Sequence, residues 1–210
     1  MVPDGLSEES LARSARLLAS RDTHLAQILQ THGAPPLWAR RPGFATLIRI
    51  ILEQQVSLLS AAAMFRRLRK NILPFTPRQF LQVGETGLRS LGLTHQKTSY
   101  CLRLSESVID KSIDLTALRQ LPDEEVRNAL VKIKGIGPWT ADVYILMALR
   151  RPDVWPENDL ALAIAMENLK GLSVRPTPNG LREMAESWRP FRAVAARMLW
   201  QHYLAQRGRT

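Results

Sequence analysis

Apolar residues recur along this chain mainly at the three- and four-residue spacing of an α-helix, and strand-like alternation is nearly absent. Residues 8–32 predict one amphipathic helix or two short ones. The residues expected to face inward from this segment are Leu11, Leu17, Leu18, Leu25, Ile28 and Leu29. Residues 44–71 predict two further helices that meet near the polar stretch EQQVS. We therefore predict an all-α protein.

Glycine and proline divide the rest of the pattern into further helices. The breaker-rich stretch GAPPLWARRPG, residues 33–43, predicts a linker. The helices predicted beyond residue 71 lie at about 77–83, 85–91, 95–110, 115–120, 124–133 and 139–150, then from Asp159 onward and over 180–206. Only the turn KGIGP separates 124–133 from 139–150, so these two segments predict a helical hairpin.

The charge of the chain narrows the choice of partner. There are 29 Lys and Arg residues against 19 Asp and Glu residues, a formal net charge of +10. A charge so far from zero attracts polyanions, so we expect nucleic acid first and an anionic membrane surface second. No apolar run reaches the roughly 18 residues that a membrane-spanning helix requires. We therefore predict no membrane span.

Cysteine and histidine offer little for metal binding. Cys101 is the only cysteine, so it cannot supply a four-cysteine zinc site or iron–sulfur cluster, and we expect it in the core of a protein from a reducing compartment. The histidines follow no ligand spacing; they are His24, His32, His95 and His202. The side chains therefore predict no metal and no iron–sulfur cluster.

The turn of the predicted hairpin has the composition of an anion-binding site. Gly135 and Gly137 allow the backbone to turn at positive φ and allow another molecule to approach closely. Backbone N–H groups at the start of the following helix would bind an anion, and Lys132 and Lys134 add positive charge. Ile136 would pack into the hairpin. A DNA phosphate fits this chemistry, and an ordinary turn between helices with a glycine cap is the alternative.

Four segments together resemble one family. They are LVKIKGIGPWTADVYIL, IILEQQVSLLSAAA, LGLTHQKTSYCLRLSESV and WRPFRAVAARMLW, spread over residues 40–205. They resemble the helix-hairpin-helix (HhH-GPD) DNA glycosylases, in particular the DNA-3-methyladenine glycosylase II branch. The resemblance implies two helical lobes with the active-site cleft between them. It assigns 1–40 to N-terminal helices that pack with the C-terminal lobe, 41–150 to a helical barrel lobe ending in the hairpin at 124–150, and 151–210 to the catalytic loop and C-terminal lobe.

The resemblance implies that Asp159 is the catalytic aspartate, because it follows the loop after the hairpin. Breaking an N-glycosidic bond through an oxocarbenium-like sugar needs a negative group near C1′. Asp159 is also a good helix N-cap, and one carboxylate can serve both purposes. Among competing carboxylates, Glu157 is two residues away, and Asp142 is expected to be a salt-bridge or structural partner.

The base pocket is expected to contain Trp139, with Glu53 and Tyr144 as further candidates. The alternatives are that Glu53 faces solvent and that Tyr144 belongs to the core. In relatives that also cleave the abasic strand, a lysine nucleophile stands at the position of Trp139. Tryptophan cannot form a Schiff base, so we predict a monofunctional enzyme without AP lyase activity. Its ring offers a π-face to a cationic alkylated base. The alternative is a tryptophan of the core.

The resemblance also implies DNA contacts beyond the hairpin. Gln55 would enter the space left by a flipped base or face the opposite base, unless it is an exposed polar residue of a helix. Leu93 would wedge into the duplex from the other side unless it is a core residue, with Thr94 or His95 as substitutes. The hairpin could hold Na+ or K+ through backbone carbonyls near Ile133 and Gly135, which the sequence neither shows nor excludes.

These expectations combine into one function and two alternatives. We predict a monomeric glycosylase of base-excision repair that excises alkylated purines such as 3-methyladenine from double-stranded DNA. A helix-hairpin-helix protein that only binds DNA is one alternative, and a glycosylase for deaminated or oxidised bases is the other. The acidic start MVPDGLSEES resembles neither a secretory signal nor a transit peptide. The expected location is cytoplasmic in a bacterium, associated with the nucleoid, or nuclear in a eukaryote.

Overall fold

A computed structural model describes residues 5–208 of the chain. Within that range the chain forms eleven α-helices and one short 3₁₀ helix, Ala117–Gln120, without a β-strand. In chain order the α-helices are α1 (Glu8–Ala19), α2 (Thr23–His32), α3 (Phe44–Glu53), α4 (Leu58–Asn71), α5 (Pro77–Ser90), α6 (His95–Ile109), α7 (Asp123–Val131), α8 (Pro138–Met147), α9 (Leu160–Lys170), α10 (Pro178–Glu186) and α11 (Arg192–Gln206). The all-α prediction is confirmed.

The helices group into two compact units, and the chain enters one of them twice. Arg40–Leu149 forms the hairpin unit, with α3 to α8. Within the described part of the chain, residues 5–39 and 150–208 form the aspartate unit, with α1, α2 and α9 to α11. These limits lie within one residue of the predicted boundaries at 40 and 150. Residues 1–4 and 209–210 of the predicted terminal segments lie outside the described part.

Short polar side chains set where many of the helices begin. Ser7 and Ser10 form a reciprocal capping box at α1, and Asp22 accepts hydrogen bonds from two backbone N–H groups of α2. Hydroxyl caps begin α4, α5, α6 and α10 in the same way. Each cap satisfies N–H groups that have no partner inside their own helix.

The core of the hairpin unit is built around α3 and α8. Leu47, Ile48 and Leu52 of α3 are fully buried, and α8 is buried from Thr140 to Leu146. α5 was predicted as two helices, and it is one span whose backbone leaves the helical conformation at Gly84, with φ of 63°. Cys101 lies in this core at 0% exposure, and burial raises the pKa of its thiol to about 12.

The aspartate unit is centred on α11, which packs against α1, α2 and α9. Its residues 193–200 are all buried, and they include the cation of Arg197. The predicted helical tail over 180–206 has one break, because α10 ends at Glu186 and α11 starts at Arg192. Pro190 lies in that break and cannot continue a helix.

The predicted inward face of the first segment needs one correction. The segment is two helices, and Leu11, Leu18, Leu25 and Ile28 are buried as expected. Leu17 is 38% exposed, because Leu18 occupies the inward face and the next position on a helix is rotated by about 100°. Across residues 5–208, no helix combines the length and apolarity that a membrane crossing requires.

Candidate active site and nucleic-acid interface

The two glycines of the turn between α7 and α8 differ in backbone conformation and in the space around them. Gly135 has φ of 99°, and a Cβ atom there would overlap the ring of Tyr100, so only glycine fits. Gly137 has φ of −89° and ψ of 178°, an ordinary extended conformation, and a Cβ atom there would meet nothing within 4 Å. Of the two glycines that allow a positive φ, only Gly135 adopts one. The lack of a side chain at Gly137 leaves open space in front of the turn.

That open space lies at the start of a helix. Gly137 is the N-cap of α8, and no side chain caps this helix, unlike most helices of the protein. Lys132 and Lys134 are exposed beside the turn, and Ile136 is 3% exposed, so the turn is anchored by its apolar residue as expected. Backbone N–H groups, flanking cations and open space are together the composition of a phosphate site.

Gln54 holds this turn in place, although the sequence predicted no separate role for it. The Gln54 side-chain amide donates hydrogen bonds to the Gly135 carbonyl and to Oγ1 of Thr140, both at 2.9 Å. Its neighbour Gln55 is exposed and has φ of 56°, which is unusual for a residue with a side chain. The sequence feature that could have indicated this role is the pair of consecutive glutamines, Gln54 and Gln55. Its first member supports the hairpin, and its second faces solvent, as a residue that contacts DNA must.

A buried lysine fixes the backbone just before the QQ pair. Nζ of Lys97, on α6, donates to the Leu52 carbonyl at 2.5 Å, near the end of α3. Lys97 is 7% exposed, and burial lowers the pKa of its amine. Since Tyr100 of the same helix packs on Gly135, α6 supports both the QQ turn and the hairpin turn.

The loop before α6 contains the three candidates for a DNA wedge. Leu93 is 4% exposed, so its prediction as the wedge is not supported, because it would first have to leave the core. Thr94 is exposed, but its hydroxyl caps α6 by accepting a hydrogen bond from Lys97 N. The His95 side chain is 73% exposed, with Nε2 3.4 Å from the Glu85 carboxylate. Exposure therefore favours His95 among the three.

Two of the predicted base-pocket residues belong to the interior of the hairpin unit. The Glu53 carboxylate is 7% exposed, forms a bidentate salt bridge with Arg40 and also binds Arg49. Tyr144 is 0% exposed, its hydroxyl accepts a hydrogen bond from Gly43 N at 3.0 Å, and burial raises its pKa. A flipped base cannot reach either side chain without unpacking the core, so both assignments are corrected.

The positions of Trp139 and Asp142, in the second helix of the hairpin, are consistent with the roles predicted from the sequence. Trp139 lies in the first turn of α8 and is half-buried, a placement that permits contact with a ligand. Asp142 is fully buried, and its Oδ1 accepts a hydrogen bond from Arg127 Nε at 2.8 Å. The prediction of Asp142 as a salt-bridge partner is confirmed.

In the aspartate unit, Asp159 begins α9 as its N-cap. Oδ1 accepts a hydrogen bond from Leu162 N at 2.9 Å and another from Nε1 of Trp200 at 3.2 Å. The residue is 8% exposed, and Asn158 before it has φ of 60°. The capping prediction is confirmed. A carboxylate held by two donors in a low-dielectric site is a fixed negative charge.

The carboxylate of Glu157, two residues before Asp159, is more exposed to solvent. The Glu157 side chain is 37% exposed and lies 3.7 Å from Arg182, so water screens its charge. Trp200 orients Asp159 through the hydrogen bond of its indole N–H. Forty-one residues separate Trp200 from Asp159, and no local spacing reveals such a pair.

The predicted cation site would consist of backbone carbonyl groups of the hairpin turn. The Gly135 carbonyl accepts from Gln54, and the Ile133 carbonyl accepts from Ile136 N at 2.9 Å. Each carbonyl oxygen has a second lone pair, so a monovalent ion would share these atoms with the protein donors. Among the residues that the structure covers, no three His, Cys, Asp or Glu side chains gather as a metal site requires.

Comparison with known proteins defines the class. Residues 48–190 match the HhH-GPD superfamily of base excision DNA repair proteins, and the chain belongs to this superfamily. The solved structure of Schizosaccharomyces pombe 3-methyladenine DNA glycosylase (Mag1) in complex with abasic DNA is similar, with a TM-score of 0.83 and 27% identity. The similarity covers 90% of this chain and 95% of that one.

Relatives found by sequence lie in the same branch. DNA-3-methyladenine glycosylase 1 of S. pombe is 30% identical over 77% of this chain and 73% of its own length. The Bacillus subtilis protein YfjP is 25% identical over 85% of this chain. This chain spans 65% of the length of YfjP and 60% of the length of the S. pombe alkylbase DNA glycosidase-like protein mag2. The resemblance to 3-methyladenine glycosylases is confirmed.

Proposed function

We propose that this protein is a DNA glycosylase of base-excision repair that excises alkylated purines such as 3-methyladenine. The observation that carries the proposal is Asp159, a nearly buried carboxylate held by Leu162 N and by the Trp200 indole. The N-cap position fixes the backbone of this residue, and the indole fixes its side chain. Similarity to 3-methyladenine glycosylases supports the choice of substrate.

The main requirement of the proposed chemistry is the negative charge of Asp159. Cleavage of the glycosidic bond develops positive charge on the sugar, and a preorganised carboxylate stabilises it. A purine methylated at N3 or N7 is a cation while it is bonded to the sugar and leaves readily, so no general acid is required. Asp159 would also orient or deprotonate the attacking water. The product is a free base and an intact abasic site.

Binding to duplex DNA is proposed to depend on the hairpin. The uncapped start of α8, the open space at Gly137 and the exposed Lys132 and Lys134 would hold a backbone phosphate. Such a contact positions the duplex but carries no sequence information. Gln55 and His95 would contact the bases around the lesion. A Na+ or K+ ion at the hairpin carbonyls stays a prediction.

Asp159→Asn tests the proposal, because the change removes the charge and keeps the volume. Base release from duplexes that each carry one modified base should fall by roughly 10²–10³-fold in single-turnover assays, with DNA affinity retained. Glu157→Gln is the matched control and should change the rate little. Release that depended on Glu157 instead would refute the role of Asp159. A wild-type protein that binds DNA and releases no base would be a DNA-binding protein only.

We also propose that the enzyme has no AP lyase activity. Lysine is the residue that forms a Schiff base with the opened sugar, and Trp139 stands where the lyase relatives place one. Borohydride added to the same reactions should therefore trap no covalent protein–DNA adduct. A trapped adduct, mapped to its amine, would show a second catalytic step and contradict this part of the proposal.

A further inference from the structure

α9 begins with a leucine that the packing of the helix does not require. Leu160 directly follows Asp159 and is 61% exposed. The residues of α9 that are buried in the unit, where the helix packs on α11, are Leu162, Ala163, Ala165 and Met166. An apolar side chain stabilises a fold in proportion to the area that it removes from water. Leu160 therefore contributes little to the stability of the free protein.

The first position of a helix also favours residues other than leucine. Proline and acidic side chains are preferred in the first turn, because of its free N–H groups and the positive end of the helix dipole. α9 has no acidic residue in its first turn. Among the α-helices of residues 5–208, only α4 also starts with leucine, and its Leu58 is 53% exposed just after the glutamine pair. Exposed leucines therefore follow closely on Gln55 and Asp159, two residues that the proposed function brings to DNA.

The backbone on both sides fixes the position of Leu160. Val154 and Trp155, in the loop before the helix, are buried, and the Trp155 ring packs on Trp188. Asp159 accepts hydrogen bonds on both sides of Leu160's own turn, from Leu162 N to its carboxylate and from Ala163 N to its carbonyl at 3.1 Å. The leucine is thus held beside the carboxylate and still presents most of its surface to solvent.

We propose that Leu160 packs against the deoxyribose of the extruded nucleotide and excludes water from the Asp159 carboxylate. This inference rests on the proposed function and adds a contact to the sugar. A sugar bound at the carboxylate lies within reach of the adjacent side chain. Deoxyribose has a methylene group at C2′, so part of its surface is apolar and suits a leucine. Leu160 is a binding residue in this role, and its partner is the substrate.

The exclusion of water matters for the charge that develops during the reaction. Water weakens the attraction between a carboxylate and a nearby cation, whereas a dry site strengthens it. Asp159 is already 8% exposed in the free protein, and a sugar covered by Leu160 would remove the remaining access of water from that side. The leucine would therefore raise both the affinity for an extruded sugar and the rate of bond cleavage.

Three variants separate this role from a structural one. Leu160→Asn replaces the apolar side chain with a polar one of similar size, and Leu160→Met keeps it apolar. Val174→Asn is the control, because Val174 is a 76% exposed apolar residue of the same unit, between α9 and α10. Each variant is assayed for single-turnover release of 3-methyladenine. Affinity is measured for undamaged duplex and for duplex with a tetrahydrofuran abasic analogue, which retains a sugar ring without a base.

We expect Leu160→Asn to slow base release by about 10-fold and to weaken binding of the abasic analogue by about 5-fold, since an apolar contact to the sugar is lost. Affinity for undamaged duplex should stay within about 2-fold, because its sugars remain in the helix. Leu160→Met should stay close to wild type, and Val174→Asn should match it. Melting temperatures should be unchanged, since both residues are exposed. Unchanged affinity of Leu160→Asn for the analogue, or equal losses in Leu160→Asn and Leu160→Met, would overturn the inference while base release upholds the proposed function.

The binding measurement decides the inference even if the wild-type protein releases no base. A preference for the abasic analogue over undamaged duplex, present in wild type and Val174→Asn and lost in Leu160→Asn, would support the sugar contact although the proposed function had failed. The same preference in wild type and Leu160→Asn would refute the contact. A wild-type protein without any preference for the analogue would refute it as well.

Discussion

The hairpin turn and the Asp159 site have opposite electrostatic characters: the turn presents exposed positive charge, and the Asp159 site contains one nearly buried negative charge. The hairpin unit has 16 Lys and Arg residues against 9 Asp and Glu residues, a net charge of 16 − 9 = +7. The aspartate unit, over residues 5–39 and 150–208, has 12 against 9, a net charge of 12 − 9 = +3. The turn exposes its lysines and helix start to solvent, whereas Asp159 is nearly buried. A polyanion is attracted by many screened charges, but a developing cation needs one desolvated charge in a fixed position.

The two sites also differ in how they are assembled. The hairpin turn consists of consecutive residues, supported by Gln54 and Tyr100 from neighbouring helices. The Asp159 site brings together the start of α9 and the middle of α11. Damage to the turn should therefore affect stability and affinity, and damage around Asp159 should affect rate.

Gly135→Ala should give the largest effect, and it acts on the fold. The new Cβ atom would overlap the Tyr100 ring, on a backbone held at φ of 99°. We expect the free energy of unfolding to fall by about 2–4 kcal/mol, measured by thermal or urea denaturation. Gly137→Ala is the control and should cost less than about 0.5 kcal/mol. Equal stability of the two variants would show that the turn can shift away from Tyr100.

Trp200→Phe should separate rate from affinity in the aspartate unit. The aromatic ring is retained, but the N–H group that binds Asp159 is removed. Because a hydrogen bond to a charged group is worth about 1.5–3 kcal/mol, the single-turnover rate of base release should fall by about 10-fold or more. DNA affinity should be unchanged. A weaker affinity with an unchanged rate would place Trp200 in the DNA interface. It would contradict the expectation that residues around Asp159 affect rate and the hairpin turn affects affinity.

Neutralising the hairpin lysines should give the smallest effect, visible mainly as salt dependence. Lys132→Gln and Lys134→Gln should each reduce the slope of log affinity against log salt by up to about 0.9, the value expected when one phosphate is no longer neutralised. Lys170→Gln makes the same charge change in the aspartate unit and serves as the control. If all three variants gave the same slope, net charge alone would govern binding and the turn would have no special part in it.

Local sequence was sufficient for the hairpin and insufficient for the pocket. The spacing of glycine, proline and apolar residues predicted the turn, the burial of Ile136 and the helix start at Asp159, because each depends on neighbours within a few residues. Glu53 and Tyr144 were misplaced because burial depends on packing between helices that are distant in the chain. The contact of Trp200 with Asp159 depends on how α11 packs against α9, for which composition gives no signal.

The state of Cys101 has a consequence for an enzyme exposed to alkylating chemicals. Methylating agents that damage DNA also attack proteins, and the thiolate is their most reactive target there. The chain has one thiol, it is fully buried, and its pKa of about 12 keeps it protonated at neutral pH. The conditions that generate the proposed substrate should therefore leave this thiol largely unmodified, so that the cysteine is not a point at which alkylation would inactivate the protein.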